Sequence, residues 1–73
     1  MRTHRYGITI FGVLDGPDRE EFADFRIERD RANTVLIGDL DQAALHGALN
    51  RIMAFGLELV ELRRLAAVPG FAG

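Results

Sequence analysis

The chain predicts an α+β fold in which one four-stranded sheet carries a single main helix. Two patterns and one limit lead there. Four separate stretches read as strands, by period-two alternation or by a β-branched run that is apolar on both sides. Between Asp41 and Gly56 the period changes to that of an amphipathic helix. With 73 residues there is room for one domain only. The expected organisation is a single α+β domain over residues 1–65 and a flexible C-terminal tail over 66–73, where Pro69, Gly70 and Gly73 break any regular pattern.

The first strand is expected over residues 5–14, with Tyr6, Ile8, Ile10 and Leu14 on one side and Thr9, Phe11 and Val13 on the other. Asp15-Gly16-Pro17 ends it. Pro17 suits a first helical turn, where its missing N–H would be unpaired anyway. Asp18, Glu20 and Glu21 add negative charge where a helix N-terminus favours it. A short helix over 17–24 then brings Phe22 and Phe25 together at i, i+3 spacing. The second strand runs over 25–30 with Phe25 and Ile27 inward. Asp30-Arg31-Ala32-Asn33 is a polar connection of hairpin length, with Asn33 able to take a left-handed conformation. The third strand, 34–40, is apolar on both sides, with Val35 and Ile37 against Leu36 and Leu40.

Asp41 is a good N-cap for a helix over 42–55, and Gly56 is its C-terminal stop. At about 100° per residue, Leu45, Ala48, Leu49, Ile52 and Phe55 share the core stripe. The last strand covers 57–65, with Val60 and Leu62 on one side and Leu57 and Leu59 on the other. Strand, short helix, strand, strand, long helix, strand is the split βαβ order of ferredoxin-like domains, here with a degenerate first helix. The alternative drops that helix and joins the first three strands as a meander.

Composition narrows the chemistry. The chain has no Ser, Cys or Lys, so the commonest covalent nucleophiles are missing and no catalytic set is expected. Without Cys there is no disulfide and no thiolate ligand; His4 and His46 are the only imidazoles, so neither a metal nor a cofactor is expected. A net charge of −2 argues against nucleic-acid binding, which needs a basic face. No apolar run reaches the roughly 18 residues that would span a bilayer. The opening MRTHRYGITIFG reads as a strand and not a signal peptide, so a cytoplasmic location is expected.

Three features stand out as candidate sites. Asp39 and Asp41 flank Leu40 and could share a cation, although Asp41 is explained by capping and Asp39 by a solvated loop. His46 lies at the edge of the core stripe with Gln42 and Asn50 on its side; together with Tyr6 they could line a pocket, or His46 could simply bond Gln42 or Asn50 one turn away. The back of the helix carries Ala43, Gly47 and Ala54 where charged residues are usual. The sheet sharpens the same point. One helix covers one face, which would leave Phe11, Val13, Leu36, Leu57 and Leu59 in water, a larger apolar patch than soluble monomers usually expose. A homodimer through that face, with the helix back as a second contact, is the expected solution.

The stretch TVLIGDLDQAALHGALNRIMAFGLELVELRRL, residues 34–65, resembles the C-terminal half of small uncharacterised bacterial proteins with the pattern TVLxGxxxDQAxLxGLLxRIRDLGLxLVxV. The likeness rests on Gly38, Asp41, Gln42, Leu45, Gly47, Leu49, Arg51, Ile52 and Gly56. This chain is one residue shorter between Gly38 and Asp41, and has Met53-Ala54-Phe55 where the relatives carry Arg-Asp-Leu. The resemblance implies no established activity. The sequence therefore points to a non-enzymatic, self-associating interaction or structural module. The alternative is a dimeric small-molecule-binding protein or cofactor-independent enzyme with a pocket between sheet and helix.

Overall fold

The structure, a computed structural model, describes residues 2–65. The tail expected over 66–73 lies outside the described residues. Strands β1 (His4–Phe11), β2 (Arg26–Asp30), β3 (Asn33–Leu40) and β4 (Leu59–Arg64) form one sheet, with helices α1 (Gly16–Glu21) and α2 (Gln42–Ala54) between them. The strand order is β2-β3-β1-β4, and every neighbouring pair is antiparallel. Thus β3 lies between the strands that α1 joins, and β1 between those that α2 joins. This is the α+β, split βαβ arrangement, compatible with a ferredoxin-like domain. The meander fails on both counts, because β1 pairs with β3 and Gly16–Glu21 is helical.

Local chemistry sets the boundaries. β1 ends where Gly12 takes φ +91°, a conformation costly for a residue with a Cβ. α1 is shorter than 17–24 because the amides of Phe22 and Ala23 close tight turns onto the carbonyls of Arg19 and Glu20, each at 3.2 Å. In the hairpin, Arg31 and not Asn33 takes the left-handed conformation, at φ 60°, while Asn33 pairs with Asp30 in the ladder. A two-residue hairpin loop needs positive φ at its first position, and that position is Arg31. The cap of α2 is as expected: Ala44 N–H donates to Asp41 Oδ1 at 2.7 Å. At its other end the amides of Gly56 and Leu57 donate to the carbonyls of Met53 and Ile52, both at 3.0 Å, a Schellman closure.

The core lies between the helices and one sheet face. Ile8, Ile10 and Leu36 rise from the sheet to meet Leu45, Ala48 and Ile52 of α2, with Leu14, Phe22 and Phe25 closing the side. The two phenylalanines do meet, with ring centres 6.2 Å apart. Buried Thr34 donates its hydroxyl to the Gly12 carbonyl at 2.7 Å, tying the end of β1 to the start of β3.

Two expectations about facing are corrected. Leu36 is fully buried, opposite Ile8 and beneath the helices, so it is not on the open face. Partners in a ladder share a face, and even positions of β1 and β3 point toward α2. In β4 the register with β1 slips between Thr9 and Ile10, leaving Val60 as the extra residue of a β-bulge. Leu62 therefore faces Ile8 and Leu59 faces Ile10, so both lie on the helix side. Strict alternation had placed them on opposite sides. Leu57 likewise packs against the core.

Candidate functional site

The feature with most chemical potential is a groove between α2 and β4, of about 440 Å³. Its walls are Leu49, Ile52 and Met53 from the helix, Leu57 from the connection to β4 and Leu59 from the start of β4. His46 and Asn50 contribute the polar rim. The walls follow from the helical period, since Leu49 and Met53 stand one turn apart beside the buried stripe. Among the described residues they stay uncovered, because β4 lies at the edge of the sheet there and α2 reaches no further across it. Met53 is 69 % exposed, Leu59 46 % and Leu62 40 %.

The polar candidates separate. Gln42 Nε2 lies 3.2 Å from His46 Nε2, the one-turn bond open to this histidine, and both side chains are exposed. Asn50 joins His46 at the groove rim, but Gln42 and Tyr6 do not line it. Tyr6 is a core residue, edge-on to His4 at 6.4 Å between ring centres. Asp39 is not in a loop. It belongs to β3, where Arg5 of β1 grips it with two hydrogen bonds, Nε to Oδ1 at 2.8 Å and Nη2 to Oδ2 at 3.1 Å. The Arg5 hydrogen bond holds the Asp39 carboxyl below its usual range, and Asp39 in turn raises Arg5. Asp41 is committed to the cap. Among the described residues no group of three or more His, Cys, Asp or Glu side chains could hold a metal ion.

The sheet face away from the helices is less apolar than alternation suggested. Thr9, Val35 and Ile37 form its centre, and Leu65 packs on Gly7 beside them. Ion pairs border that centre: Arg5–Asp39, Arg26–Glu28 at 2.8 Å and the looser Arg63–Glu61 at 3.8 Å. Phe11 and Val13 are exposed at one end. On the back of α2, Ala43 and Ala54 are exposed, and a Cβ added to Gly47 would meet nothing within 4 Å. Among the described residues no close approach accounts for that glycine.

Arg51 is the residue whose role was least visible in the sequence. Its guanidinium lies 4.9 Å from the Phe22 ring centre, pairs with Glu21 at 3.3 Å and Asp24 at 3.2 Å, and donates to the Glu21 carbonyl. The Asp24 hydrogen bond is the main reason its pKa is raised. The one sequence signal was that Arg51 is the sole charged residue in α2.

A family model described as a domain of unknown function (DUF8691) matches residues 5–63. The chain belongs to this family. The matched span of the DUF8691 domain begins in β1 and ends in β4, so it takes in the groove, the cap and the Arg51 contacts. No curated protein and no solved structure matches the chain. No described helix of this DUF8691 domain is long and apolar enough to cross a membrane.

Proposed function

We propose that this DUF8691 domain is a small, cytoplasmic, non-enzymatic module of bacterial cells that works by self-association, with a two-fold dimer as its unit. The observation that carries the reading is the apolar groove of Leu49, Met53, Leu57 and Leu59 between α2 and β4, with half-exposed Leu62 further along β4 on the same side. Covering a fully exposed side chain of this size contributes about 1.5–3 kcal/mol, so half-exposed ones contribute roughly half that each. In this reading that apolar strip and not the sheet face is the main contact, because burying that face would desolvate the ion pairs at its borders. Phe11, Val13 and the small residues Ala43, Gly47 and Ala54 are secondary contacts in this reading.

Light scattering at micromolar concentration tests it. The expected mass is twice that of one chain, and Leu59→Glu should reduce it to one, since a buried unpaired charge is costly. A monomer with a cooperative melt sinks the reading.

His46 and Asn50 at the groove rim favour one second reading, a binding site for a small apolar molecule with one polar group. In that case a ligand should raise the melting temperature saturably, and His46→Gln should abolish the rise. Dimers that form equally well with His46→Gln favour association.

A further inference from the structure

We infer that the partner is a second copy of this chain, joined edge to edge through β4 in the register that sets Leu62 opposite Leu62 of the other copy. The inference rests on the self-association reading and specifies its contact. β4 is an edge of the sheet among the described residues, and an edge strand presents unpaired N–H and C=O groups to a further strand. Which groups these are follows from the ladder. The Leu65 amide donates to the Arg5 carbonyl at 2.7 Å, and pairs alternate between bonded and non-bonded along an antiparallel ladder. Stepping through the register, Arg63 and Glu61 turn their backbone toward β1, while Leu62 and Arg64 turn theirs outward.

Only outward residues can bond outward residues, which limits a two-fold antiparallel pairing to a few registers. Centring it on Glu61 sets the two glutamates against each other, and centring it on Arg63 does the same to the arginines. Like charges directly opposite are destabilising. Centring it on Leu62 sets each Glu61 opposite an Arg63 of the other copy, twice over. The intrachain Arg63–Glu61 pair is long, at 3.8 Å, and both side chains are more than half exposed, so it yields readily to a cross-strand partner. The same register joins the apolar strips, because Leu62 lies on the helix side opposite Ile8. Two half-exposed Leu62 side chains would then meet, extending the groove wall of Leu59 and Met53 across the axis. The other edge is less suited: in β2 every residue except Ile27 is charged.

The test combines charge exchange with cross-linking. Glu61→Arg and Arg63→Glu should each raise the dimer dissociation constant about tenfold or more, while the double exchange should restore it to within a few-fold. Both positions are exposed, so the monomer fold should survive, with circular dichroism as the check. Independently, Leu62→Cys gives this cysteine-free chain one thiol. Bonded antiparallel partners have Cα atoms about 5.5 Å apart, within disulfide reach, so mild oxidation should give a covalent dimer. Phe11→Cys, on the open face, should not cross-link. A dimer that ignores the charge exchanges, or that cross-links through position 11 and not 62, overturns the β4 contact and leaves self-association standing. A wild-type monomer overturns both.

Discussion

Replacing Arg51 with Met tests the tie between α2 and the α1–β2 connection. Methionine keeps an apolar stem over Phe22 and removes the guanidinium, so the loss reports on the charge and its fork. The two ion pairs, with Glu21 at 3.3 Å and Asp24 at 3.2 Å, are partly exposed. Pairs of that kind contribute about 0.2–1 kcal/mol each. The cation–π contact at 4.9 Å from the Phe22 ring adds about 0.5–1 kcal/mol. One guanidinium makes all of these contacts, so they do not add fully, and the expected loss is about 1–2 kcal/mol. For a domain of this size that lowers the melting temperature by about 5–15 °C. Urea unfolding followed by circular dichroism, at one fixed protein concentration, should show a lower midpoint with an unchanged slope. Arg51→Lys keeps the charge but loses the planar fork, and should recover only part of the loss. An Arg51→Met chain with the wild-type midpoint would refute the assignment of this residue as a tie.

Other outcomes follow from single contacts. Asp41→Ala should cost about 0.5–2 kcal/mol in the same assay, since it removes the acceptor for Ala44 N–H; no change would mean the cap is dispensable. Gly38→Ala should cost about 1–3 kcal/mol, because its Cβ would sit 2.9 Å from the Phe25 ring, which is itself held in the core; a neutral result would show that the ring can move away. Asp39 is held by Arg5 below its usual range, so its folded pKa lies beneath the unfolded one. Its contribution is therefore fully present above about pH 4 and fades as pH falls toward the depressed value. Asp39→Asn should flatten the acid limb of a plot of melting temperature against pH, and an unaltered limb would discount the Arg5 pair.

The elements were legible in the sequence because each is set by its own residues. Alternation gave the strands, the 3.6-residue period gave α2, and Asp41 and Gly56 marked its ends through capping chemistry that acts within a few residues. The pairing of Phe22 with Phe25 was likewise a matter of local spacing.

What a residue meets across the sheet is another matter. A period of two says that Leu36 and Ile37 point opposite ways but not which way holds the helix; the pairing of Leu36 with the buried Ile8 decided that. One extra residue at Val60 was enough to put Leu59 and Leu62 on the same side, and no pattern within β4 announces a bulge. Arg51 reads as a lone surface charge until α1 and the start of β2 come beside α2, bringing Glu21, Asp24 and Phe22 around it. Asp39 reads as a loop carboxylate until β1 lies alongside β3 and supplies Arg5. By itself the sequence determined where strands and helices form, since backbone preference and capping act over a few residues. Only the tertiary structure decided which apolar residues remain open and which charges find partners, because both depend on contacts between segments tens of residues apart.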